Sequence, residues 1–196
     1  MQYDKVALET NFERLKSVLD SLSGMTRPPQ PIETDAGHLT AQLDLLKESG
    51  APDAPQLFEY FGLLEKYGLH TIADLYEYTD PCDIDRSIDV RQFKFEITRR
   101  IHGVVTDVYD EVIRQGNVIW PRNFVPISET EGRGYAVVCG STDSGTVWTF
   151  DKSGNLVPEF DSINAFSQAL VESFEGKGQF ANSVPQLDSD GFLEWV

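Results

Sequence analysis

Apolar residues recur every three or four positions through much of the first hundred residues, which is the spacing of one face of an α-helix. This pattern predicts helices over much of 4–22, over 37–48 and over 55–67. A proline-rich segment, 24–36, separates the first two and cannot be helical. Residues 71–78 allow a further short helix. The first 80 residues are therefore predicted to be mainly helical.

The longest periodic segment covers 88–115. Six apolar residues step down one of its faces: Phe93, Ile97, Ile101, Val104, Val108 and Val112. The opposite face collects four bases: Arg91, Lys94, Arg99 and Arg100. We expect these bases to form the solvated face of an amphipathic helix, with a functional basic patch as the alternative.

Beyond residue 116 the pattern changes to short β-rich runs. Two runs within 118–127 are interrupted by proline, as in edge strands. Three further runs, Tyr135–Cys139, Thr146–Phe150 and Leu156–Phe160, are separated by short connections. Sequential strands with short connections predict an antiparallel meander.

A last helix should follow the strands. Ser162 is a good N-cap residue, and four apolar residues follow at helical spacing: Ile163, Phe166, Leu170 and Phe174. The acidic tail, 181–196, either docks its apolar end onto the domain or stays flexible. The fold class is therefore predicted to be α+β, as a single domain over 1–196. A helical N-terminal part, 1–80, precedes a small, mainly antiparallel sheet with a packed C-terminal helix within 118–176.

Charge narrows the classes of partner. The net charge is −16, made up of −8 over 1–80, −1 over 81–117 and −7 over 118–196. Such a surface repels nucleic acid and anionic membranes, because their phosphates bind Lys and Arg. It attracts a basic protein and speeds the encounter. The alternative is that the acidity serves only solubility.

Location and redox state follow from what the sequence lacks. No apolar run approaches the roughly 20 residues needed to cross a bilayer. Residues 1–5 show no signal-peptide pattern, so we expect a cytoplasmic protein. The two cysteines, Cys82 and Cys139, are too few for a disulfide framework and are expected to be free thiols.

The sequence carries no motif typical of catalysis or metal binding. The histidines His38, His70 and His102 lack zinc-ligand spacing, and neither a phosphate loop nor a dinucleotide-binding motif occurs. Gly140–Gly145 lies between two predicted strands and is expected to be a hairpin loop. The sequence therefore predicts no catalytic residue, no cofactor and no metal, although convergence of some of the 32 acids into a site stays open.

Four carboxylates, Asp80, Asp83, Asp85 and Asp89, lie close together in sequence. Carboxylates can bind a hard cation such as Ca²⁺, but this set lacks the glycine and the spacing of a calcium loop. The simpler interpretation is that Asp85 or Ser87 caps the long helix.

The segment 120–174 resembles the SUKH superfamily, which includes bacterial toxin-immunity proteins and fungal cell-wall assembly regulators. Trp120-Pro121 and Phe124–Ile127 begin the resemblance, and Gly132–Tyr135 is similar to the entry to a strand. Gly145–Phe150 looks like the next strand of the family's sheet, and Glu159–Phe166 is similar to its last strand-to-helix junction. The first 80 residues and the long helix depart from the family pattern.

The resemblance implies a protein that acts by binding and carries no catalytic residues. We expect an immunity or antitoxin-like protein that binds and neutralises a cognate toxin, and an acidic inhibitor suits a basic target such as a nuclease. A regulatory or scaffolding module with another cellular partner is the alternative, and a carboxylate-based hydrolase is a third hypothesis. Because interfaces need apolar anchors outside the core, the candidate partner-binding residues are Tyr76, Tyr78 and Trp195.

Overall fold

A computed structural model describes residues 4–22, 24–26, 28–31, 33, 35–48, 51, 55–102, 120–140 and 144–196. The described residues form five α-helices and six strands, in this order: α1 (Lys5–Ser21), α2 (Ala36–Glu48), α3 (Pro55–Lys66), α4 (Ile84–His102), β1 (Phe124–Pro126), β2 (Gly134–Val138), β3 (Val147–Phe150), β4 (Leu156–Phe160), α5 (Ile163–Phe174), β5 (Pro185–Leu187) and β6 (Leu193–Trp195). The α+β class is confirmed. The first three helices lie within a residue or two of the predicted bounds.

Residues 71–78, which the sequence allows to form a short helix, do not form an α-helix. A single 3₁₀ turn at Leu69–Thr71 is followed by irregular chain and then by a tight turn. Asp74 has a φ of 52°, which a right-handed helix cannot include, and its N–H donates to the Asp80 carboxylate at 2.9 Å. A side-chain acceptor thus takes the backbone donor that a helix would use.

The four-stranded sheet has the order β1-β2-β3-β4 with every neighbouring pair antiparallel, so the predicted meander is confirmed. Gly145, in the β2–β3 connection, donates its N–H to the Val138 carbonyl oxygen at 2.7 Å. Residues 118–119 and 141–143 lie outside the described residues. Ser162 caps α5 as predicted, because its Oγ accepts from the Ala165 N–H at 3.0 Å.

Side chains alternate between the two faces of the sheet, as the pleat requires. On β2, Tyr135 and Val137 join the large core beneath α5, which α1 and α3 complete on its outer side. Ala136 and Val138 point to the opposite face and join a smaller core that includes Trp120 and Phe95 of α4. The sheet therefore has a helical layer on each face, with α4 packed near β1.

The orientation of α4 differs from the prediction. Arg91 is buried rather than solvated, and its guanidinium lies 4.5 Å from the Phe95 ring centroid while donating to the Arg122 carbonyl. Phe93, assigned to the buried stripe, is instead 61% exposed. The reason is that α4 docks partly through hydrogen bonds, such as that from Ser87 Oγ to the Pro126 carbonyl oxygen at 2.6 Å. Residues 103–115 of the predicted helix lie outside the described residues.

The N-terminal end of α4 is also different in detail. Asp83 accepts from the Arg86 N–H at 2.8 Å, so Asp83 caps this helix rather than Asp85 or Ser87. At the end of the chain, β5 and β6 pair as an antiparallel hairpin, and Trp195 of β6 lies in the large core. Among the described residues, no helix is long and apolar enough to cross a membrane.

Candidate functional site

Two of the three predicted partner-binding residues belong to the core. Tyr76 is only 1% exposed, and its hydroxyl lies 2.5 Å from that of Tyr60. Its ring packs edge-on against Tyr135 and Phe166. The expectation that Tyr76 is an exposed anchor is wrong, because the large core needs an aromatic ring at this point and satisfies its hydroxyl internally.

Trp195 is likewise buried, with 3% exposure, so its expected exposure is also wrong. The indole N–H donates to the Asp74 carbonyl oxygen at 2.7 Å, and the ring packs on Phe174 and Phe180. Trp195, near the end of the chain, is therefore a core residue. Tyr78, the third residue, is 48% exposed and remains available to a partner.

Tyr78 stands at the rim of a groove of about 310 Å³, which we call the sheet groove. Its floor is a row of three residues on adjacent strands, Tyr135, Thr149 and Val157, which the strand register places directly opposite one another. They lie on the same face as α5, but Val157, at the edge of the sheet, is 50% exposed. The groove is thus a part of the sheet face that the helical layer leaves open.

One wall of the sheet groove is the tight turn 76–79. Tyr76 and Thr79 bond to each other through both backbone pairs, at 3.2 and 2.7 Å. Tyr78, at the third position, has a φ of 55°, as in a type II turn, where glycine is usual. A bulky residue in this conformation is an outlier, and such strain is concentrated at functional sites. The turn directs both Glu77 and Tyr78 to the groove.

Glu77 gives this wall its negative charge. Burial raises the pKa of its carboxyl above the ordinary value, the hydrogen bond from Ser183 Oγ lowers it, and the nearby Glu159 carboxylate raises it further. The pKa of Tyr135 is raised by burial and by the same two carboxylates. Within the described part of the chain, neither Glu77 nor Glu159 forms an ion pair with Lys or Arg.

The other end of the groove is formed by the β3–β4 turn and by Arg133. Asp151 is held by this turn, because its carboxylate accepts from the backbone and side-chain N–H groups of Asn155 at 3.0 and 2.7 Å. Arg133 lies 4.0 Å from the Glu131 carboxylate. The groove lining therefore carries the Arg133 guanidinium and the Asp151 carboxylate at this end and the Glu77 carboxylate at the other.

A second cavity, of about 230 Å³, lies on the helical side, and we call it the acid–histidine pocket. Its described lining consists almost wholly of acids and imidazoles: Glu33, Asp35, His38, Glu65, His70, Asp83, Ile84 and Asp85. His38 Nε2 lies 3.0 Å from the Asp85 carboxylate, which raises the pKa of His38 through hydrogen bonding and charge.

The pocket gathers only two of the four neighbouring aspartates, Asp83 and Asp85. Asp80 instead accepts from the Asp74 N–H, and Asp89 lies exposed on α4. Among the described residues, no three His, Cys, Asp or Glu are grouped so that they could hold a metal ion.

Sequence reasoning missed Glu77, Tyr135 and Val157 as site residues. A partial signal was available, because the tight turn at 152–155 fixes the register that aligns Thr149 with Val157. Nothing local indicates that the turn 76–79 closes the same groove, since it lies some 60 residues earlier in the chain.

No family model and no curated protein matches the chain. The geometry of the two sites is therefore what bears on function.

Proposed function

We propose that the protein is an immunity or antitoxin-like protein that binds and neutralises a cognate basic toxin, acting in the cytoplasm without catalysis of its own. The observation that carries the proposal is the sheet groove, where the exposed Tyr78 ring stands beside carboxylates that have no cationic partner among the described residues. An aromatic anchor next to uncompensated negative charge suits a basic protein surface.

Two further features support the proposal. The net charge of −16 steers a basic partner toward the molecule. The resemblance of 120–174 to the SUKH superfamily implies a binding role, and the order of β1 to β4 followed by α5 is the order of elements on which the resemblance rests. A toxin that degrades nucleic acid must carry a positive groove for its substrate.

The test is co-expression with the product of a neighbouring toxin-like gene. Growth rescue and a stable complex are expected, with an association rate that falls as salt rises, because screening shortens the range of charge steering to about 10 Å at 0.1 M. The toxin expressed alone is the control. Absence of both rescue and complex would favour a regulatory or scaffolding module, whereas rescue with a salt-independent rate would remove the electrostatic mechanism only.

A carboxylate-based hydrolase is the second candidate, because the acid–histidine pocket brings carboxylates and imidazoles together. The paired His38 and Asp85 are its natural acid–base groups. If the pocket is catalytic, hydrolysis of a panel of ester, phosphoester and glycoside substrates should be lost in His38→Gln. No turnover of the panel by the purified protein would remove this candidate.

A further inference from the structure

The sheet groove offers an anchoring surface at the edge of the sheet. Val157 on β4 and Tyr78 on the turn are each about half exposed, and both line the same cavity. Between them, Thr149 is half-buried and Tyr135 forms the deepest part of the floor. The open end of the groove is therefore apolar and aromatic, and it is large enough to hold one long side chain.

Recognition here must come from side chains rather than from strand addition. β4 is an edge strand, and an exposed edge can pair with a strand of another chain. However, Pro158 occupies the middle of β4 and has no N–H to donate, which is a common way to prevent edge pairing. A partner would therefore reach the groove with a projecting side chain.

Charge decides which side chain fits. Glu77 lines the groove, and Glu159 lies exposed on β4 two residues beyond Val157, outside the groove lining. The two carboxylates repel one another, and the charge of Glu159 raises the pKa of Glu77. A cation placed between them would remove that repulsion. A second copy of this chain, with a net charge of −16, would instead bring more negative charge to the site.

Among cationic side chains, the guanidinium of arginine matches this site best. It is planar and stacks on aromatic rings, here that of the half-exposed Tyr78. It can also donate to two carboxylates at once, whereas the ammonium of lysine is a compact, strongly hydrated charge. The apolar floor accommodates the methylene stem of the same side chain.

We propose that the sheet groove is the docking site for one arginine side chain of a basic protein partner, held between Glu77 and Glu159 and stacked on Tyr78. This inference rests on the proposed function only in requiring a protein partner, and it names the contact that such a partner makes. The acid–histidine pocket, although more acidic, has no Phe, Tyr or Trp ring in its described lining.

The first test uses a defined probe on the full-length protein. The peptide acetyl-Gly-Thr-Arg-Thr-Gly-amide is titrated and the backbone amide NMR signals are followed, with the same peptide carrying neutral citrulline as control. The arginine peptide should shift the signals of 77–79, 135, 149 and 157. The citrulline peptide should bind at least about tenfold more weakly. Equal binding of both peptides, shifts centred on 33–38 and 83–85, or no shifts at millimolar peptide would overturn the proposal.

The second test separates this inference from the proposed function. Glu77→Gln and Glu159→Gln are expected to weaken the toxin complex by about tenfold each, because each removes one charge-assisted hydrogen bond. Glu48→Gln, an exposed residue of α2, removes the same charge elsewhere and should have little effect. Full rescue with unchanged affinity in both groove variants would refute arginine docking but keep the immunity role. Peptide binding in the groove with no toxin complex would refute the immunity role but keep arginine docking.

Discussion

The hydroxyl of Tyr78 donates a hydrogen bond to the backbone carbonyl oxygen of Trp195 at 2.8 Å. This bond joins the tight turn 76–79 to the last strand of the chain. Trp195 is itself buried and bonded to the Asp74 carbonyl oxygen, so it offers a fixed acceptor. The half-exposed ring of Tyr78 is thereby held at the rim of the sheet groove, although its positive φ is unfavourable for a bulky residue.

Replacing Tyr78 should separate backbone strain from contact. Tyr78→Gly is expected to be more stable than Tyr78→Ala by about 1 kcal/mol, because glycine adopts a positive φ without a Cβ clash. Both variants lose the hydroxyl, so the difference between their free energies of unfolding in urea isolates the backbone. An alanine variant as stable as the glycine variant would contradict the left-handed conformation of residue 78.

The hydrogen bond itself is tested by Tyr78→Phe, which keeps the ring. Its loss should lower the free energy of unfolding by about 0.5–1.5 kcal/mol, the usual net contribution of one hydrogen bond. Because the turn would then be held less firmly, hydrogen exchange of the backbone amides at 76–79 should become faster. Unchanged stability and exchange would mean that water replaces the hydroxyl at no cost.

Phe166 lies at the centre of the large core. Its ring packs against Tyr76, Tyr135, Phe160 and Phe180, at centroid distances of 5.1 to 5.4 Å. Phe166→Ala should cost about 3–5 kcal/mol, since it removes a buried ring and leaves a cavity.

The matched control is Phe93→Ala, the same substitution at an exposed ring on α4, which should change stability by no more than about 0.5 kcal/mol. Chemical denaturation measures both variants. A large loss at Phe93 together with a small one at Phe166 would reverse the assignment of these rings to surface and core.

An ion pair joins α1 to the end of α5 and should make stability depend on pH. Arg14 donates two hydrogen bonds to the Glu175 carboxylate, at 3.1 and 2.7 Å. Arg14, with a second contribution from Lys177, lowers the pKa of Glu175 to about 2. The folded-state pKa lies below the unfolded value of about 4.3, so the stabilisation is present above that value and is lost as pH falls toward 2.

Arg14→Gln should therefore be less stable than the natural protein above about pH 5, and the difference should vanish near pH 2. Urea midpoints measured across this range test the point. Lys177→Gln, which removes the weaker and more exposed partner, should show the same trend with a smaller amplitude. A difference that does not vary with pH would mean that the pair contributes packing rather than charge.

The two cysteines should be unreactive in the folded protein. Cys82 and Cys139 are buried free thiols, and burial raises the pKa of each to about 12. Since the thiolate is the reactive form, Ellman's reagent should label neither in native protein and both in denaturant. Prompt labelling of one thiol in native protein, or an intramolecular disulfide in protein taken directly from cells, would contradict this expectation.

Several elements could be predicted because their signals are local. The apolar period fixed α1, α2 and α3, since a helix repeats every 3.6 residues whatever its surroundings. Ser162 marked the start of α5 because the side chain of an N-cap residue accepts a hydrogen bond from a backbone N–H in the first turn of the helix that follows it. Short turns between β-rich runs determined the meander, because a connection of only a few residues can join neighbouring strands only when they run antiparallel.

The side of α4 that faces the sheet was decided by tertiary structure. Periodicity assigned Phe93 to the core and Arg91 to solvent. However, the Pro126 carbonyl oxygen in β1 and the Arg122 carbonyl oxygen before it accept hydrogen bonds from α4. The hydrogen-bonding needs of a distant segment therefore outweighed the apolar stripe.

The candidate site shows the same division. The sequence singled out Tyr76, Tyr78 and Trp195 as a group, and the fold does bring all three together around one turn. It buries Tyr76 and Trp195 because the space beneath that turn lies inside the aromatic core, and it leaves Tyr78 half exposed in the lining of the groove. Local pattern determined which segments become helix, strand or turn; exposure depends on what packs from elsewhere in the chain, and only the tertiary structure decided that.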